Sequence, residues 1–198
     1  VRDFTPIALV ASAPVVIVVP ADSPIKTLAD YIDQARKKPD TVQYGSAGNG
    51  TPGHLTGAMF EATAQIQPRH IPYKGSSPAV TDLLGGQIDL AVMAMPGAMP
   101  HVRAGKLTLL GLLVDKRLPS APDVPTVNEG SVVKGVSMQI WAGIGGPAGL
   151  PADIVEKLNA TVRDILVDKD FNERRLKNGD LPVILVLAVR FRKSLTRP

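Results

Sequence analysis

The residues best suited to chemistry gather in one stretch, Tyr44-Gly45-Ser46-Ala47-Gly48-Asn49-Gly50-Thr51-Pro52-Gly53-His54. Gly48 and Gly50 let a backbone approach a bound group closely, and Ser46, Asn49 and Thr51 add short polar side chains. Pro52 suits the first position of a helix, where its missing N–H costs nothing. The free N–H groups at that helix start would favour an anion by roughly 0.3–1 kcal/mol, and by about 2 kcal/mol when partly buried. A carboxylate is the natural guest. A tight strand-to-helix turn that binds nothing is the plainer alternative, but a glycine-rich run of this length exceeds what such a turn requires.

Two nucleotide readings compete for the same loop. Gly48-Asn49-Gly50-Thr51-Pro52-Gly53 fits G-x-G-x-x-G, which would make the chain a nucleotide-dependent enzyme. That motif calls for an acid about 20 residues on to hold the ribose. The residues there are Ile71-Pro72-Tyr73-Lys74-Gly75, without an acid. Gly45 and Gly50 have phosphate-loop spacing, yet Thr51-Pro52 stands where Lys-Ser/Thr is required. A nucleophile elbow fails because Tyr44 occupies its first glycine position.

No other constellation points to catalysis. His54, His70 and His101 show no i, i+4 pair and no nearby acids at ligand spacing, so no metal site is expected. His54 reads as a loop-bracing residue that also lines the site, whereas His70 and His101 read as structural. Neither paired carboxylates nor a serine–histidine arrangement can be placed by spacing. The reading is a binding protein without cofactor, not an enzyme.

Composition agrees with a globular chain: 44% of the 198 residues are apolar and 20% charged. Aromatic residues make up 4%, too few for base-stacking platforms. The net charge of +4 is concentrated in Arg190, Arg192, Lys193 and Arg197; without those four, the 22 basic residues fall to 18, matching the 18 acids. A neutral body argues against nucleic acid as a partner. Cysteine is absent, which removes thiol chemistry and disulfides. The apolar stretch from Ile7 to Val19 is short and broken by Pro14, so the chain is not expected to be membrane-embedded. Val1-Arg2-Asp3-Phe4 opens in mid-pattern without a signal peptide, as after processing or truncation.

The elements that must hold the loop follow from periodicity. Val15-Val16-Ile17-Val18-Val19 predicts a strand buried on both faces. Leu28, Tyr31, Ile32 and Ala35 share a helical face that ends at Lys37-Lys38-Pro39. A strand at Val42-Gln43-Tyr44 enters the glycine loop, and the helix beyond it is expected to turn Leu55, Met59 and Ala62 inward. Further strands are expected around Arg69-His70-Ile71, over Asp89–Met93 and over Leu107–Leu113. Between them fall a helix starting near Pro78, with Val80, Leu83 and Leu84 on its apolar face, and a helical turn near 96–104. This alternation predicts a largely parallel sheet flanked by helices. From Trp141 to Gly149 the chain reads as a glycine-rich crossing. An amphipathic helix with Ile154, Leu158, Val162 and Ile165 follows, and the change of texture suggests a second lobe.

The loop and His70-Ile71-Pro72-Tyr73-Lys74-Gly75 together resemble the Bug family, solute-binding proteins of tripartite tricarboxylate transporters. Further stretches agree in order: Asp82-Leu83-Leu84-Gly85-Gly86-Gln87-Ile88-Asp89, Pro100-His101-Val102-Arg103-Ala104-Gly105-Lys106-Leu107, Pro122-Asp123-Val124-Pro125-Thr126-Val127 and Gly146-Pro147-Ala148-Gly149-Leu150-Pro151. The resemblance implies an α/β fold, a type II periplasmic-binding-protein-like lobe with a mostly parallel sheet and flanking helices, plus a remnant of a second lobe. It sets the ligand-binding lobe at 10–142, with 1–9 and 143–198 as hinge, partial first lobe and divergent tail. The implied function is a periplasmic receptor that takes a small carboxylate and hands it to an inner-membrane permease. Ser46, Ala47, Gly48, Asn49, Gly50, Thr51, His54, Tyr73, Lys74 and Met95 are the residues expected at the ligand. Two departures stand out. The region of the family's first glycine-rich loop has no counterpart, which opens homo-oligomerisation or a swapped dimer. The stretch from Leu181 to Pro198 is apolar and then basic, where the family continues with an acidic amphipathic helix. Met93-Ala94-Met95 also stands where the family often has an aspartate, which bears on ligand choice.

Overall fold

A computed structural model describes residues 3–181. The chain divides into two compact units, one formed by Pro14–Ile140 and the other by the segments on either side of it. The larger unit holds one mixed sheet in the order β3-β2-β4-β1-β5. Strand β1 (Phe4–Pro20) contributes its second half to this sheet, where Val15 through Val19 are buried on both faces as their β-branched run predicts. Each such side chain contributes about 1.5–3 kcal/mol by leaving water.

The connections explain the topology. Helix α1 (Leu28–Lys37) begins with a capping box: Thr27 Oγ1 accepts from the Asp30 N–H at 3.1 Å, and the Asp30 carboxylate accepts from the Thr27 N–H at 2.8 Å. It leads to β2 (Gln43–Ser46), α2 (Pro52–Ala64), β3 (Arg69–Pro72), α3 (Ser76–Leu84), β4 (Leu90–Ala94), α4 (Met95–Arg103) and β5 (Leu107–Leu112). Strand β2 pairs in parallel with β3 and with β4. Strand β1 pairs antiparallel with β4 and with β5. Four of the five strands therefore run the same way, with β1 inserted against them. The larger unit's core packs Tyr31, Tyr44 and Phe60 among Val, Ile and Leu side chains, and the Tyr31 and Phe60 rings lie parallel with centroids 5.6 Å apart.

Helix α2 corrects the expected inward face. Gly53, Thr56, Gly57, Phe60 and Ala64 are buried, whereas Leu55 is 47% and Met59 40% exposed and Ala62 is exposed as well. The reason is close approach. A methyl group at Gly53 would overlap the carbonyl oxygen of Val92 on β4, and one at Gly57 would come within 2.9 Å of the Tyr44 ring. Small residues at Gly53 and Gly57 set this helix onto the sheet beside Phe60, so Leu55 and Met59 point away. Helix α3 shows a milder difference: Ala79, Val80 and Leu83 are buried, but Leu84 is exposed.

In the smaller unit the expected crossing from Trp141 onward is a strand, β6 (Gln139–Pro147), paired with β1. Pairing supplies the backbone hydrogen bonds that its glycine-rich composition does not advertise. Helices α5 (Ala152–Val167) and α6 (Lys169–Lys177) follow. Asn159 is buried and donates its side-chain amide to the Ile7 carbonyl at 2.7 Å, pinning α5 to the first part of β1. Ile154, Leu158 and Ile165 of α5 are exposed, and Val162 is half-buried. The divergent tail read from the sequence lies, beyond Leu181, outside the described residues.

Candidate functional site

Three neighbouring strands, β3, β2 and β4, end at one edge of the sheet. From β2 the chain passes to its neighbour on one side and then returns to the neighbour on the other. Loops leaving such strands diverge and open a crevice at the carboxyl edge, the usual ligand position in an open α/β sheet. Residues 46–54 leave β2, residues 73–75 leave β3, and Met95 follows β4 directly. The fold thus brings to one edge all three segments expected at the ligand.

Internal hydrogen bonds shape the main loop. Ser46 is 1% exposed, and its hydroxyl oxygen accepts from the Gly48 N–H at 3.2 Å while lying 2.7 Å from His70 Nε2. Thr51 donates its hydroxyl to the Gly48 carbonyl at 2.7 Å and caps α2 by accepting from the His54 N–H at 3.5 Å. The Gly50 N–H donates to His54 Nδ1 at 3.1 Å. Gly48 at φ +132° and Gly50 at φ +75° occupy backbone conformations that side chains disfavour. A methyl group at Gly48 would also stand 2.9 Å from the Tyr73 carbonyl.

The second loop is tied to the first. The Tyr73 N–H donates to the Ser46 carbonyl, and the Gly75 N–H to the Ala47 carbonyl, both at 3.0 Å. The Tyr73 hydroxyl donates to Asp82 at 2.7 Å; burial, then that bond, push the phenol up to about 12. Asn49, Gly50 and Lys74 are exposed at the edge. Met95 is fully buried, so its side chain belongs to the packing beneath α4. Among the described residues, none of the loop's hydrogen bonds uses the N–H of Asn49 or of Gly53 in the first turn of α2. Gly53 is buried, so the donors that suit an anion are the Asn49 N–H with the exposed Asn49 and Lys74 side chains.

Beneath the loop lies a cluster the sequence does not reveal. The imidazoles of His54 and His70 stack with centroids 4.4 Å apart, and the Tyr44 ring centroid lies 4.8 Å from that of His70, tilted by 30°. Burial, then the neighbouring His54, lower the His70 pKa. Burial raises the Glu61 pKa, against the opposing pull of Tyr44 and His54. His70, expected to be structural only, is thus a direct neighbour of the loop. Its contact with Ser46 spans 24 residues of sequence, beyond the reach of any local pattern. No group of three or more His, Cys, Asp or Glu residues positioned to hold a metal occurs among the described residues.

A sheet of this order, with flanking helices and edge loops, defines a lobe of the periplasmic-binding-protein type. The chain belongs to the tripartite tricarboxylate transporter family of receptors, which it matches over residues 1–189. It is 37% identical over 172 residues to the UPF0065 protein in the tcbD-tcbE intergenic region of Pseudomonas sp. strain P51, covering 87% of this chain and 51% of that protein. Protein BugT of Bordetella pertussis is 31% identical over 183 residues, 92% of this chain and 56% of BugT. Among solved structures, R. palustris Rpa4515 with adipate superposes with a TM-score of 0.91 at 30% identity, covering 98% of this chain and 64% of that one. MatC from Rhodopseudomonas palustris with bound malate gives 0.82 at 30% identity, over 90% and 60%. The chain therefore spans about half the length of the curated relatives it matches.

Proposed function

We propose that this chain supplies the carboxylate-binding lobe of a periplasmic solute receptor that delivers its ligand to the permease of a tripartite tricarboxylate-type uptake system. The carrying observation is the loop 46–54, where exposed Asn49 keeps its N–H out of the loop's own hydrogen bonds at the carboxyl edge beside the start of α2. Here the Asn49 N–H, the Asn49 side chain and the Lys74 ammonium meet the carboxylate. Ser46, Thr51 and His54 hold the loop in shape, while Ala47, Gly48 and Gly50 allow the ligand's close approach. Tyr73 flanks the site, and Met95 supports it from the core. Adipate and malate, the ligands of two similar proteins, are both dicarboxylates, which makes a small dicarboxylate the preferred guest. Within this reading the unit Pro14–Ile140 would act as the ligand-binding lobe, for which the sequence set the bounds 10–142.

The test is a thermal-shift and calorimetric panel of adipate, malate, a tricarboxylate and NADPH. A ligand at 100 times its Kd stabilises the folded chain by about 2.7 kcal/mol. For a chain of this size that raises Tm by roughly 5–11 °C. A shift with a carboxylate but none with NADPH supports the receptor reading. A shift with NADPH alone would return the glycine loop to nucleotide chemistry, and no shift with any carboxylate would refute the proposal.

A further inference from the structure

The hydrogen bond between the Gly50 N–H and His54 Nδ1 constrains the protonation of that imidazole. An Nδ1 that accepts a hydrogen bond carries no proton, so the observed loop requires neutral His54 with its proton on Nε2. Imidazolium has two N–H donors, and its Nδ1–H would face the Gly50 N–H, donor against donor. Ser46 and His70 behave differently. The Ser46 hydroxyl lies 3.2 Å from the Gly48 carbonyl, so it can donate there and accept from His70 in any protonation state that places a hydrogen on Nε2.

We propose that His54 is a positioning residue whose neutral form latches the glycine loop, coupling the loop's shape, and hence its hold on a carboxylate, to a single proton. The affinity part rests on the receptor reading above; the latch itself does not. The groups around His54 can be named from each neighbouring element. His70 on β3 stacks on its ring, and a second cation there would be repelled. Glu61, two turns along α2, attracts the protonated form. Tyr44 on β2 reaches the pair through His70. Strand β4, against which α2 packs at Gly53, has no titratable side chain between Leu90 and Ala94. Gly50, at φ +75°, has nothing within 4 Å of an added Cβ, so hydrogen bonds, the latch together with those from Thr51 to the Gly48 carbonyl, brace this turn of the loop.

The first experiment needs no ligand. In the full chain, the Gly50 amide is followed by NMR and hydrogen exchange from pH 8 to 5.5 alongside the His54 ring protons. The Gly50 amide is expected to shift with the His54 titration and to lose exchange protection as the ring charges. A Gly50 amide that stays unchanged while His54 titrates would overturn the latch. The second experiment measures adipate affinity across the same range for the native chain and for His54→Asn, whose amide oxygen stands near the Nδ1 position but cannot titrate. The native chain should lose affinity on acidification relative to the variant, by at most about tenfold per pH unit for one linked proton. The ligand's own titration is common to both chains and drops out. Parallel pH profiles would overturn the coupling. If adipate binds at no pH, the same profiles are taken with the carboxylate that shifts Tm in the panel above; if none does, the receptor reading fails, while the Gly50 titration still decides the latch.

Discussion

Replacing Gly53 with alanine tests how α2 is set against the sheet. In the interior of a helix, Gly→Ala ordinarily stabilises by about 0.5–1 kcal/mol through backbone entropy and propensity. At Gly53 the added methyl meets the Val92 carbonyl oxygen head-on, with the carbonyl carbon at 3.2 Å and Met93 Cα at 3.8 Å. All three are backbone atoms of β4, which cannot rotate aside as a side chain would. Overpacking of this kind costs typically about 1–3 kcal/mol, and an unyielding neighbour places it near the upper end. Subtracting the propensity gain leaves a net loss of about 2 kcal/mol, or roughly 4–8 °C in Tm. Urea and thermal unfolding followed by circular dichroism would measure it. Gly130→Ala is the control, because nothing lies within 4 Å of its added methyl and its φ is not positive. It should change stability by less than about 0.5 kcal/mol. A Gly53→Ala chain as stable as the native one would refute the close-packing account of α2. It would also remove the reason given for the outward-facing Leu55 and Met59.

Two further substitutions probe other parts of the structure. Burial raises the Glu61 carboxyl pKa above its unfolded value, so its stabilising contribution is full below that unfolded value and is lost as pH rises through the folded one. Glu61→Gln should therefore gain stability relative to the native chain on going from pH 4 to pH 8 in urea titrations, and a constant difference would contradict the buried-carboxylate reading. In the smaller unit, Asn159→Ala strips the Ile7 carbonyl of its 2.7 Å donor. It should cost about 1–3 kcal/mol, seen as faster amide exchange in α5 than in the native chain.

Much of the fold was legible because the deciding interactions are local. The β-branched run from Val15 to Val19 could only be a buried strand, and it is buried on both faces. The helical spacing of Leu28, Tyr31, Ile32 and Ala35 already marks α1, in which Tyr31, Ile32 and Ala35 are buried. The glycine loop announced a backbone cradle between a strand and a helix, which is where it lies. Hydrophobicity misled at α2, where the apolar Leu55 and Met59 looked inward. Which face a helix buries depends on how closely it approaches its neighbour, and at α2 the glycines decide this. Strand β6 was hidden because its glycines carry no periodicity, and only pairing with β1 makes it a strand.

The sequence by itself determined the chemistry on offer at the loop: glycines for close approach, Thr51 and Pro52 to start a helix, and no lysine or acid of the kind nucleotides need. Only the tertiary structure decided what each polar group is used for. It buries the Ser46 hydroxyl against His70 and commits His54 Nδ1 to Gly50, while the Asn49 N–H stays outside the loop's own hydrogen bonds. A local pattern records which residues are near in sequence. The His70 ring reaches Ser46 and His54 only because β3 pairs beside β2, a contact between residues far apart along the chain.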